Sequence, residues 1–130
     1  MPITDAYITY LVKETMNDTP GDAFDHDHAY LCIGDSDAAF AASQTNMQAV
    51  TNKVRIGMDT NFPARDGNKI TFQATAGEEV ANFAWLEWGV ANHSSAGVLA
   101  NRKPENKGTK SGGSWVFEAS LTLALGVAPA

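Results

Sequence analysis

Asp25-His26-Asp27-His28 is the densest cluster of titratable side chains in the sequence. Two imidazoles beside carboxylates are the donor types that hold zinc or another divalent cation. The spacing argues against such a site. On a strand His26 and His28 share a face while Asp25 and Asp27 point away, and on a helix residues two apart do not converge. No second ligand group stands at a recognisable spacing, so the cluster reads as a solvated turn and no metal is expected. His93-Ser94-Ser95 sets a base beside two hydroxyls, but the G-x-S-x-G elbow is missing and adjacent residues rarely reach triad geometry. Gly108-Thr109-Lys110 and Gly112-Gly113 lack the G-x-x-x-x-G-K-[ST] spacing of a phosphate loop. Glu87, between Leu86 and Trp88, is a carboxylate in an apolar setting that needs a partner. Arg102 or Lys103 can supply it, as a structural ion pair rather than a general acid. Phe72, Phe83, Trp85, Trp88 and Trp115 read first as core, with a sugar-stacking platform as the alternative. The expectation is a protein that is not an enzyme, with no catalytic residue and no cofactor.

The 130 residues carry a net charge of −6, and its distribution says more than its sum. Residues 1–37 hold eight acids against Lys13 alone, whereas the rest of the chain holds eight bases and seven acids. Phosphate backbones need a basic footprint, so no nucleic acid partner is expected. The acidic first third suits either solubility or a basic surface on a protein partner. No apolar run reaches the roughly 18–20 residues of a membrane span, so no membrane partner is expected. The start MPITDAYITYLVKE lacks the pattern of a secretory signal, which implies synthesis in a cytoplasm. Cys32 is the single cysteine and lies in an apolar run, where it reads as a small core residue.

The elements that must position these groups follow from periodicity. Ser114–Leu125 places Trp115, Phe117, Ala119, Leu121, Leu123 and Leu125 on every second position, which predicts a long strand with one buried face. Lys69–Ala76 alternates in the same way, and Lys53–Met58 alternates with one basic face. Asp66-Gly67 favours a tight hairpin before Lys69. Ala29–Ile33 and Val98–Lys103 read as short strands. Within Ala81–Val90 the apolar parity changes between Trp85 and Trp88, as at a β-bulge. A strand buried on both faces, one of them against a neighbouring subunit, gives the same pattern. Thr4–Met16 reads as a short helix capped by Thr4 or Asp5, although Ile8, Tyr10 and Val12 also alternate as a strand would. Asn17–Asp27 is turn chemistry, Ala38–Asn52 holds at most one or two helical turns, and Pro104–Gly113 reads as a flexible basic loop.

Six strands separated by Gly, Pro and Asn turns predict a mainly β fold, an antiparallel sandwich or barrel with a short N-terminal helix or arm. The organisation expected is one domain over residues 1–130. It comprises an acidic arm and turn at 1–28, a β core at 29–125 and a short disordered tail at 126–130.

Several segments resemble small virion proteins of tailed bacteriophages. Gly34-Asp35-Ser36-Asp37-Ala38-Ala39-Phe40-Ala41-Ala42 with Gln44-Thr45-Asn46-Met47 is similar to their "GDG…AFAASQTDLQ" segment. Gly67–Thr75 resembles their "GN-hydrophobic-TF-ATF" strand, and Ala81–Val90 their "ANF.W.EWG(V/L)". Asn101-Arg102-Lys103 and Gly108-Thr109-Lys110 resemble "LNRK…LGTK", and Trp115–Leu125 resembles the closing "W.…T.TL" strand. The resemblance covers roughly residues 30–125 in order. It implies a β-rich structural component of the virion, foremost a capsid decoration (cement) protein on the head surface. A fibre, neck or tail component is the alternative. It also implies the major capsid protein as partner and self-assembly as a homotrimer, and it carries over no catalytic residue. From the charge asymmetry, the expected partner contacts are basic Arg102, Lys103, Lys107 and Lys110, or acidic Asp22, Asp25 and Asp27.

Overall fold

The computed structural model describes residues 2–124. The expected tail at 126–130 and Leu125 of the expected closing strand lie outside the described residues. Helix α1 spans Asp5–Met16. Thr4 is its N-cap: Thr4 Oγ1 accepts the Tyr7 N–H at 3.2 Å, and the Thr4 hydroxyl donates to the Leu99 carbonyl. Asn17 closes the helix in the left-handed conformation, donating its N–H to Glu14 and Lys13 carbonyls. Tyr7 and Tyr10 turn inward and meet Phe24 edge-on at 5.4 and 5.1 Å between ring centroids. Ile8 and Val12 stay exposed, so the period of this segment is helical.

Seven strands follow: β1 Tyr30–Gly34, β2 Lys53–Gly57, β3 Ala64–Asp66, β4 Lys69–Ala76, β5 Ala84–Ala91, β6 Lys103–Thr109 and β7 Trp115–Thr122. They form two antiparallel sheets, ordered β2-β1-β5-β6 and β3-β4-β7. The fold is mainly β and sandwich-like. Between the sheets the core takes Leu31 and Ile33 of β1 and Trp88 and Val90 of β5. From the facing sheet come Phe72, Ala74 and Ala76 of β4 and Ala119 and Leu121 of β7. The β4–β7 register sets Ile70 opposite Leu121, Phe72 opposite Ala119 and Ala74 opposite Phe117. Alternation on the two strands therefore meets on one inward face. The intervening residues point outward, where Thr71 and Ser120 hydroxyls lie 3.3 Å apart.

The parity change in β5 is a register shift between Trp85 and Glu87 against β6. Both of the readings of Ala81–Val90 hold in part, because β5 is also buried on its second face. The cover there is the chain's own segment 35–52: Met47 packs with Cys32, Ala91 and Leu99 beneath it. Segment 35–52 forms no helical turn. The hairpin turn before β4 is Gly67-Asn68, one residue beyond the expected pair, with Gly67 at φ 60°.

Three expectations are corrected. Pro104–Gly113 is a loop only at residues 110–113, since Lys103–Thr109 is strand β6. Proline is tolerated there because β6 is an edge strand, where one side needs no ladder donor. Val98–Arg102 contains only isolated bridges, Leu99 to Ala91 and Asn101 to Ile3, and Lys103 already belongs to β6. The closing strand stops at Thr122, and Leu123 is 39% exposed.

Candidate functional site

Register places Glu87 of β5 on the face covered by segment 35–52, and the chain crosses back over it at Arg102. Arg102 Nε donates to Glu87 Oε1 at 2.7 Å, with both side chains fully buried. The remaining valences are filled from segment 35–52. Glu87 accepts the backbone N–H groups of Ser36 (3.2 Å), Gln48 (2.7 Å) and Ala49 (2.9 Å). Arg102 donates to the carbonyls of Ala38 (2.8 Å) and Ser36 (3.3 Å) and to Gln44 Oε1 (3.3 Å). A buried pair so completely bonded is tolerable in a low-dielectric interior. Its task is to tie an irregular loop of small and polar residues onto a sheet. Glycine makes the room: a Cβ on Gly34 would lie 2.2 Å from Glu87 Oε2, and one on Gly89 2.1 Å from the Asn101 carbonyl oxygen.

Of the two partners open to Glu87, the structure selects Arg102. Lys103 instead pairs with Glu105 at 3.0 Å, and Lys107 joins the same carboxylate at 2.8 Å. Those two lysines are the half-exposed members of the basic set, each 42% accessible. Hydrogen bonds from Lys107 and Lys103 hold the Glu105 carboxyl down to about 2, and Trp88 Nε1 donates to it at 3.1 Å. Lys110 is buried, with its ammonium donating to the Gly77 carbonyl (2.7 Å), the Glu78 carbonyl (3.4 Å) and Asn82 Oδ1 (2.8 Å). Arg102 and Lys110 are therefore spent inside the molecule, and surface contact by the basic set falls to Lys103 and Lys107.

The acidic candidates gather around His28. Its Nδ1 lies 2.6 Å from Asp25 Oδ1 and its Nε2 3.7 Å from Asp22 Oδ1. The bond to Asp25 raises the His28 pKa and lowers that of Asp25. His26 turns away, its Nδ1 2.8 Å from the Phe62 carbonyl, so the two imidazoles share no ligand. His93 Nδ1 accepts the Ser95 and Ala96 N–H groups at 3.0 Å each, which takes that nitrogen away from any serine hydroxyl. The carbonyls of His93 and Ala96 in turn receive Arg55. Cys32 is buried in the cluster beneath Met47, and burial pushes its thiol up to about 12.

The aromatic residues divide between core and rim. Trp85 and Trp88 are buried, while Trp115 and Phe117 are partly open where the β6 and β7 edges face each other. A cleft of about 520 Å³ there is lined by Trp85, Lys107 and Ser114–Glu118. Lys107 Nζ stands 5.6 Å from the Phe117 ring centroid, within cation–π range. A smaller depression of about 190 Å³ lies between Asn46, Arg55 and Ser94-Ser95.

Sequence reasoning missed the backbone half of the Glu87–Arg102 knot and the burial of Lys110. Glycine at 34 and 89 was the available signal. Compared with models of known protein families and with curated proteins, the chain matches none.

Proposed function

We propose that this chain is a structural protein of a tailed-bacteriophage virion, foremost a capsid decoration protein that binds the major capsid protein in many copies and stabilises the head shell. What supports this reading is where the resembling segments meet. Ser36, Ala38 and Gln44 come from the first segment, Glu87 from the third and Arg102 from the fourth; Arg102 bonds to Glu87, Ala38 and Gln44, and Ser36 bonds to Glu87, in the buried knot. Residues from three of the five resembling segments thus help to tie a long loop onto the sheet. Rigidity is what a repeatedly used adhesive module needs, because many weak contacts then add without each copy losing loop entropy. Lys103 and Lys107 on β6, and the Asp22–Asp27 turn, are the charged surfaces proposed to meet the shell. A fibre, neck or tail component would use the same fold in few copies per particle. The second reading is a carbohydrate-binding module, and the rim of Trp115, Phe117 and Lys107 is the observation that favours it.

Co-sedimentation with undecorated shells tests the proposal. The chain should pellet with shells to saturation in many copies per particle, with retention falling as salt rises. Failure to pellet at any salt, together with glycan-dependent quenching of tryptophan fluorescence, would transfer support to the second reading.

A further inference from the structure

The sheet edges of this molecule are not equally protected. Natural sheets guard their edges with lysine, proline, bulges or short strands, because an unpaired row of backbone groups recruits other strands. Edge strand β2 carries Lys53 and Arg55. Edge strand β3 has only three residues. Edge strand β6 carries Lys103, Pro104 and Lys107 and breaks register against β5. The β7 edge has eight residues with neither lysine, arginine nor proline, and its register with β4 is unbroken.

Leu123 N–H donates to the Asn68 carbonyl at 3.0 Å, one position beyond the Lys69–Thr122 pair. By the period of two, odd-numbered residues of β7 turn their backbone groups to β4. Val116, Glu118, Ser120 and Thr122 present theirs at the open edge. Among the described residues, no turn, loop or side-chain hydrogen bond reaches these groups.

We propose that β7 pairs antiparallel with β7 of a second copy of this chain, joining two three-stranded sheets across a two-fold axis through Ala119. Charge favours a second copy meeting here. Each copy carries −6 overall, yet Glu118 is the only charged residue on β7. Length and charge together select the register, because Ala119 is the midpoint of the outward set Val116–Thr122 and a dyad there pairs all four of its members. A dyad through Glu118 would set two carboxylates face to face, which is destabilising. A dyad through Ala119 sets Glu118 opposite Ser120 and Val116 opposite Thr122 on the outer face. On the inner face it sets Phe117 opposite Leu121, which extends the core stripe. This contact is isologous and closes at two copies. It differs from the three-fold cluster that the resemblance implies, and it stands independently of the proposed role in a virion.

Sedimentation equilibrium of the full chain reads the result, with circular dichroism confirming that each variant folds. The wild-type chain should sediment at twice the chain mass. Ser120→Pro removes one outward N–H at an edge position where proline is tolerated, and should leave a folded monomer. Ser120→Glu sets a second carboxylate opposite Glu118 of the other copy, twice per dimer, and should weaken dimerisation about tenfold. Adding Glu118→Lys to Ser120→Glu restores opposite charges across the dyad and should recover the affinity. A wild-type monomer or trimer, or a dimer indifferent to both Ser120 variants, would overturn the proposal.

Discussion

Arg102 Nε and Glu87 Oε1 meet at 2.7 Å across fifteen residues of sequence, in a place from which water is excluded. Removing one partner of such a pair strands the other, which costs about 3–5 kcal/mol, whereas replacing both with apolar groups is far milder. Arg102→Met should therefore lower the denaturation midpoint strongly, and Glu87→Leu with Arg102→Met should recover part of the loss. Hydrogen exchange locates the effect: the Gln48 and Ala49 amides, which donate to Glu87, should lose protection in the single variant.

Gly34 is required by the same carboxylate. Gly34→Ala drives a methyl group to 2.2 Å from Glu87 Oε2 and should destabilise by about 1–3 kcal/mol. Gly77→Ala meets nothing within 4 Å and serves as the control that stays near wild type. Equal midpoints for the two variants in urea would contradict the packing described.

Cys32 should be inert. With the side chain buried and its thiol pushed up to about 12, almost no thiolate forms near neutrality. Iodoacetamide at pH 8 should leave the folded chain unmodified and label it fully in guanidinium, read by intact mass.

Glu105 gives the acid limb of stability. Its folded value of about 2 lies below the ordinary 4.5, so its contribution is complete above pH 4.5 and fades as the pH falls towards 2. The carboxylate is partly exposed, so the effect is small and screened by salt. Glu105→Gln should flatten the stability curve across that window, and the fluorescence of Trp88, which donates to Glu105, reports the local change.

Strands β4 and β7 were legible in the sequence because each buries one face, so composition alternates with the pleat. Strand β6 was hidden: Lys103-Pro104-Glu105-Asn106-Lys107-Gly108-Thr109 packs few side chains inward, and its edge position removes the usual objection to proline. The knot was half legible. Glu87 announced a need for a cation through its apolar neighbours, but Arg102 and Lys103 were equivalent by sequence, and only the crossing at Asn101 decides between them. The acceptors on segment 35–52 are mostly backbone atoms, which leave no compositional trace. Lys110 was unreadable for the same reason, since carbonyls of Gly77 and Glu78 help to satisfy its ammonium.

Lys103 and Lys107 are the two members of the expected basic contact set that stay at the surface, each already paired to Glu105. Replacing both with glutamine should reduce shell retention and its dependence on salt if β6 faces the shell, leaving the fold intact by circular dichroism. Retention unchanged at every salt concentration would move the contact to the Asp22–Asp27 turn.

Electron microscopy of undecorated phage shells incubated with the purified chain addresses the proposed role most directly. The account predicts added density at regular, symmetry-related sites over the outer surface, into which the two-sheet fold fits. Shells with bare surfaces at saturating protein, or density confined to a single vertex, would contradict it.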